Sequence, residues 1–293
     1  MNIKKRVFSL LSSCYVVGCL FAQNILISTP ATSLVLSAPE KGELKYIYYG
    51  AKLSDRDFQT IGSLDKGKYA AYPVYGLNCP SEVALAVKHN DGNMTLQLEV
   101  VKVESSHQDE ANLTIISLKD KVYPFYVKMF YKAYQDTDII EIWSEISHQE
   151  KKTVVLNQFA SAYLPIRKGD VWLSHLYGAW ANEGRLEEVP LEAGMKVIKN
   201  KDGVRNSHTA HAEVMFSLDG KPRENEGRVI GAALCYSGNY KLRIDTDESD
   251  YHHFFAGINE DNSTYNLKNG EIFRTPELAL TYSDEGLSGS SRN

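Results

Sequence analysis

From Phe125 the chain alternates with a period of two. Phe125, Val127, Met129, Tyr131 and Ala133 fall on one side, with Lys128 and Lys132 on the other. A polar run at residues 135–138 interrupts the pattern, and Ile140, Ile142 and Ile146 then resume it against Glu141, Trp143 and Glu145. Successive side chains point to opposite faces in a β-strand, whereas a helix would scatter these residues around its axis. Two such runs about a short turn predict an antiparallel hairpin with one face in a core and the other in water.

The same signal recurs along the chain. Met94, Leu96, Leu98 and Val100 alternate before the phase flips at Val101 and Val103, which predicts a bulge or a strand that changes sheets. Apolar runs follow at residues 153–156, 171–173, 214–218, 229–235, 240–244, 253–255 and 278–282, many set apart by turn pairs such as Asp91-Gly92, Asp219-Gly220 and Asn269-Gly270. No stretch of helical period is long enough for a major helix. The expected fold is all-β, one large antiparallel β-sandwich with few or no long helices.

Three stretches stand outside this rhythm. Residues 54–68 are polar and read as a loop. Residues 175–208 read as a long, loop-rich excursion carrying Trp180, Glu187, Glu188 and the polar run Arg205, Asn206, Ser207, His208. An excursion of that length is expected to build a surface for a ligand or another domain. The polar run at residues 283–293 reads as flexible chain leaving one domain for another. There is no internal linker, low-complexity tract or repeat.

The first residues read as an address. Lys4, Lys5 and Arg6 precede a mostly apolar segment at residues 7–21, and Ala22 offers a small residue for cleavage. Residues 1–22 are therefore expected to be a signal peptide, residues 23–285 the β domain and residues 286–293 the start of a linker. Val16-Val17-Gly18-Cys19 resembles a bacterial lipobox, so export leads either to a free periplasmic protein or to an outer-membrane-associated lipoprotein anchored through Cys19. Cys79 and Cys235 remain as a single pair, equally compatible with a disulfide and with free thiols. The formal net charge is -5 with no basic stripe, which excludes nucleic acid as an expected partner.

The motifs of common chemistries are missing. The sequence contains no Gly-rich phosphate loop, no paired CxxC and no HExxH. Gly286-Leu287-Ser288-Gly289-Ser290 has its glycines out of register for a nucleophile elbow. His208 and His211, and the adjacent His252 and His253, lack further ligands at metal-site spacing, so neither a metal nor a cofactor is expected. Carboxylates cluster at Asp55 and Asp57, at Glu187 and Glu188, and at Asp245, Asp247, Glu248 and Asp250. Spacing alone puts no two of them at a catalytic separation.

Several stretches, in order, resemble the N-terminal domain of glycoside hydrolase family 36 α-galactosidases. They include Tyr48-Tyr49-Gly50, Tyr72-Pro73-Val74-Tyr75-Gly76, Ala84-Leu85-Ala86-Val87, His175-Leu176-Tyr177-Gly178-Ala179-Trp180 and Gly203-Val204-Arg205-Asn206-Ser207-His208. Tyr236-Ser237-Gly238-Asn239, Ala256-Gly257-Ile258-Asn259, Asn269-Gly270-Glu271-Ile272-Phe273-Arg274-Thr275-Pro276-Glu277 and Tyr282-Ser283-Asp284-Glu285-Gly286-Leu287 complete the set.

The resemblance implies a supersandwich, the architecture shared with galactose mutarotases, placed before a catalytic (β/α)8 barrel that carries both catalytic aspartates. Such a barrel needs about 250 residues, so no catalytic residue is assigned here. The implied partners are that barrel, an α-galactoside and further copies of the chain in a homo-oligomer. Substrate-rim candidates are Asp55, Asp57, Tyr75, Asn78 and Cys79, and barrel-contact candidates are Trp180, Arg205 and His208. Leu77-Asn78-Cys79-Pro80-Ser81-Glu82 departs from the Gly-Asp-Phe-Arg-like run of many relatives, which leaves open the group that meets sugar. Two other functions remain open: a stand-alone carbohydrate-binding module, and a mutarotase using His175 or His208 with Glu183 or Glu213.

Overall fold

The computed structural model describes residues 23–64, 67–76, 82–108, 110–205, 208–248 and 251–293. The leader with Cys14 and Cys19, the candidates Asn78 and Cys79, and Asn206, Ser207 and Asp250 lie outside the described residues.

The chain first lays down a small antiparallel sheet of β1 (Gln23–Ser28), β2 (Thr32–Ala38) and β3 (Lys45–Ala51). Helix α1 (Asp55–Leu64) and the short β4 (Leu85–Lys88) follow. A meander of β5 (Leu98–Gln108), β6 (Ala111–Asp120), β7 (Phe125–Tyr134) and β8 (Ile139–His148) leads into the long β9 (Val154–Arg167). Next come β10 (Trp172–Ala179), β11 (Asn182–Pro190), β12 (Gly194–Lys199), β13 (Ala210–Ser217) and β14 (Val229–Leu234). The last elements are β15 (Tyr240–Thr246), β16 (Tyr251–Ile258), β17 (Tyr265–Leu267), β18 (Ile272–Arg274), β19 (Leu278–Ser283) and helix α2 (Gly286–Arg292).

Two large sheets face each other. The ten-stranded sheet runs β11-β10-β13-β14-β19-β8-β7-β6-β5, with β18 also pairing β8. The six-stranded sheet runs β12-β15-β16-β9-β17, with β4 also pairing β9. All the named strand pairs are antiparallel. The expected large antiparallel sandwich is thus the observed one.

The predicted hairpin is β7–β8. Phe125, Val127, Met129, Tyr131 and Ala133 are all buried, and each large apolar side chain so removed from water contributes about 1.5–3 kcal/mol. On the opposite face Lys128 pairs with Glu145 and Lys132 with Glu141, while the Phe130 and Trp143 rings stack 4.8 Å apart. Such cross-strand pairs hold a register whose slip by one residue would turn the core face outward. The phase flip at Val101 is a bulge, seen as a register shift between Val100 and Lys102. Gly220 and Gly270 take φ of 102° and 77°, the left-handed turn conformation that glycine tolerates without strain.

Aromatic contacts join the two inner faces. Phe216 on β13 meets Phe254 on β16 edge to face at 5.1 Å, and Phe159 on β9 meets Phe273 on β18 at 4.9 Å. The Tyr72 hydroxyl donates to the Ala160 carbonyl (2.8 Å) and lies 3.3 Å from Ser144 Oγ, so one buried phenol ties β9 to β8. Leu34 and Leu36 of the small sheet reach the same apolar interior as Met129, Ile142 and Leu164.

Three expectations need correction. Residues 54–68 are not a loop throughout, because α1 occupies Asp55–Leu64. Ser54 caps it: its Oγ accepts the Asp57 N–H (3.2 Å) and donates to Asp57 Oδ2 (2.7 Å), which satisfies amide and carboxylate together. Residues 175–208 are mostly strand, a β10–β11 hairpin followed by β12. The polar run after β19 is helix α2, folded back on β14 and β19.

Candidate functional site

The sequence-derived candidates fall into two places. Asp55 and Asp57 occupy the exposed first turn of α1, where acidic groups complement the helix dipole. Tyr75 is 53% exposed, while its backbone accepts from Leu96 N–H (2.8 Å) and donates to the Leu85 carbonyl (3.2 Å). Among the described residues no hydrogen bond joins Tyr75 to either aspartate. Trp180 sits in the β10–β11 turn, 84% exposed, beside Ala181 in the left-handed region at φ 59°. Gly178 N–H donates to the Thr209 carbonyl (3.1 Å), which lays this turn alongside the segment that carries His208. Arg205 is exposed, its amide donating to the Asp202 carbonyl (3.3 Å).

The histidine and carboxylate of a mutarotase do not meet at His175 and Glu213. His175 lies opposite Val214 in the β10–β13 ladder, and Val214 is core. Glu213, its neighbour, therefore points to the other face. His175 Nε2 instead lies 2.6 Å from Glu187 Oε2, and Lys196 Nζ reaches the same oxygen at 2.7 Å. The Lys196 ammonium, with a further contribution from His175, holds the Glu187 carboxyl below its ordinary range against the opposing pull of burial. Glu187 belongs to the edge strand of one large sheet and Lys196 to that of the other, so this trio closes the open end of the sandwich.

Two buried histidines, His89 and His253, have partners that the sequence does not announce. His89 Nδ1 lies 2.7 Å from Glu150 Oε1, and Glu150 also accepts from the backbone and side chain of Asn90. His253 Nδ1 lies 2.8 Å from the Tyr163 hydroxyl, with Asp247 Oδ2 at 3.5 Å from its Nε2. Glu150 and Tyr163 are remote in sequence from the histidines they meet, and no local spacing announces those two pairs. Among the described residues no group of three metal-ligating side chains converges. Cys235 is a free, exposed thiol.

A groove of about 640 Å3 lies on the outer face of the ten-stranded sheet. Its floor is small and apolar, with Met215, Gly231, Ala233 and Ala279 on neighbouring strands and Leu176 and Leu186 toward the β10–β11 edge. Helix α2 forms one wall through Leu287, Ser288 and Ser291. The groove suits the docking of a protein surface better than the capture of a polar ligand.

The glycosyl hydrolase family 36 N-terminal domain model matches residues 42–268. α-Galactosidase Mel36A of Lactobacillus acidophilus is 27% identical over an alignment that covers 89% of this chain and 40% of the relative. The bifunctional α-galactosidase/sucrose kinase AgaSK of Mediterraneibacter gnavus is 26% identical, with 90% and 31% covered. Among solved structures, the α-galactosidase AgaA of Geobacillus stearothermophilus superposes with a TM-score of 0.83 at 24% identity, covering 92% of this chain and 42% of that one. The chain thus spans between about three tenths and just over two fifths of the length of these relatives.

Proposed function

Because the chain belongs to glycoside hydrolase family 36 through that family's N-terminal domain, we propose that it is the supporting β-domain of an exported α-galactosidase and is inactive by itself. The observation that carries this reading is the match of nearly the whole described chain to less than half of enzymes named α-galactosidase. In the complete enzyme a catalytic domain supplies two carboxylates, one attacking the anomeric carbon of a terminal α-galactosyl group and one acting as acid and then base. This chain's part is to carry that domain, to contribute to the rim of its pocket and to take part in oligomer contacts.

The groove under α2 is the docking face in this reading. It is apolar at its floor, and it adjoins the helix in which the sandwich ends. Trp180 and Leu186, 84% and 56% exposed, give the β10–β11 hairpin the aromatic and aliphatic anchors of an interface. Arg205 and His208 belong to the same contact region, while Tyr75, Asn78, Cys79, Asp55 and Asp57 remain the rim candidates. The basic and apolar leader supports export.

The test mixes the purified chain with a separately expressed family 36 catalytic domain and follows complex formation by sedimentation velocity. A complex is expected, and Trp180→Ala with Leu186→Glu should weaken it by about tenfold or more, roughly 1.4 kcal/mol. Absence of a complex, or one indifferent to both substitutions, would count against the docking face.

A further inference from the structure

A cleft of about 500 Å3 opens between β3, α1, the end of β9 and the start of β16. It shares no lining residue with the α2 groove, so its fate is separate from that of the proposed function. Tyr46, Tyr48, Tyr49, Tyr69 and Tyr251 line it together with Lys68, Arg167, Lys168 and Arg228, and no carboxylate does among the described residues. The chain as a whole holds 37 acidic against 32 basic residues. An acid-free lining with four cations is therefore a local departure from the composition.

The fold builds this arrangement. Tyr251 stands opposite Arg167 in the β16–β9 ladder. Tyr69 meets Tyr251 edge to face at 5.0 Å, and the Lys68 ammonium lies 5.0 Å and 5.6 Å from the two ring centroids, a cation–π placement. Arg228 is held by Asp219 through several hydrogen bonds. Arg167 and Lys168 are exposed and make no ion pair among the described residues. The Tyr49 hydroxyl is buried with no hydrogen-bond partner.

We propose that this cleft binds an anionic sugar, a monosaccharide or short saccharide bearing a phosphate or carboxylate group. Tyrosine rings offer apolar faces to sugar C–H groups and hydroxyls to its oxygens. Arg167 and Lys168 supply charge-assisted donors for the anion. A neutral sugar would leave those donors without a counter-charge, so the cleft discriminates by charge as well as by shape. Its volume falls within the roughly 300–1,000 Å3 of small-molecule sites.

Calorimetric titration of the purified chain at low salt tests this, with galactose 6-phosphate, galacturonate, galactose and inorganic phosphate as the four probes. At least one acidic sugar should bind saturably and about tenfold or more tightly than either galactose or phosphate. That binding should weaken with added salt. The exposed double substitution Arg167→Glu with Lys168→Glu should remove it while far-UV circular dichroism stays that of the parent. Failure of both acidic sugars to bind overturns the proposal, as does galactose binding equally well or phosphate alone matching galactose 6-phosphate. Binding that survives the double substitution overturns the assignment to this cleft.

Discussion

His252 is the side chain moved furthest toward a physiological consequence. It is fully buried on β16, with Nδ1 2.7 Å from Thr246 Oγ1 and Nε2 without a partner. Burial first, then Lys168 and His253, push its pKa down from 6.5 to about 4. His253 beside it is also lowered, by burial, although Asp247 and Asp245 pull the other way. Since the folded-state value lies below the unfolded one, the unfolded chain binds more protons between about pH 4 and 6.5, and stability rises with pH across that window. The contribution is fully present above about pH 6.5 and is lost as pH falls toward 4, on the order of 2 kcal/mol after screening by solvent. Urea unfolding at pH 7 and pH 5 should show that loss in the parent and a smaller one in His252→Gln. Parallel losses would place the pH dependence elsewhere.

At this scale the sequence was only partly legible. The adjacent His252 and His253 were read only as lacking metal-site spacing; both are buried, because β16 is covered on its two faces. Asp57, a rim candidate by resemblance, also accepts a hydrogen bond from the Ser54 cap, which its place in the sequence did not announce. A side chain's partners come from elsewhere in the chain, as Glu150 does for His89 and Tyr163 does for His253, and spacing along the sequence does not carry them.

Among the elements, those with one wet and one dry face were the readable ones. The β7–β8 hairpin and the bulge at Val101 follow from period two and its interruption. β11 escaped because it is an edge strand, exposed along most of its length and rich in charge, so it has no apolar period to show; charge on such an edge also guards it against pairing with another chain. α1 escaped because Phe58 and Ile61 are its only half-buried large apolar residues, too few for a helical pattern. α2 escaped for a different reason: it packs through small residues. A Cβ on Gly231 would come 2.6 Å from Ser290 Oγ, and one on Gly289 would come 2.2 Å from Ser283 Oγ. Gly231→Val should therefore lift α2 from β14 at a cost of about 1–3 kcal/mol. Hydrogen exchange should then speed up across Gly286–Arg292 and stay slow in β7–β8. Unchanged protection of the helix would mean that it does not rely on this close approach.

For the molecule as a whole, the two facing sheets explain why the alternation persists through so much of the chain: each inner face needs every second residue apolar. The third, small sheet joins the same core through Leu34 and Leu36, and its strands were not anticipated, because β2 is buried almost throughout and does not alternate. The order of the strands was equally hidden. β13 and β14 enter the large sheet between β10 and β19, and β19 lies between β14 and β8, long-range pairings that periodicity does not encode. The resemblance of the quoted stretches to family 36 foreshadowed the match over residues 42–268, while the groove under α2 became visible only once β14, β19 and the helix stood together.

In the proposed function this domain supports catalysis that another domain performs. Its most direct test is hydrolysis of a chromogenic α-galactoside by the purified chain, alone and after mixing with a separately expressed family 36 catalytic domain. No turnover by the chain alone is expected, and a higher rate for the catalytic domain in its presence. Turnover by the chain alone at an ordinary enzymatic rate, about 1–1,000 per second, would contradict it, as would a catalytic domain whose rate the chain leaves unchanged.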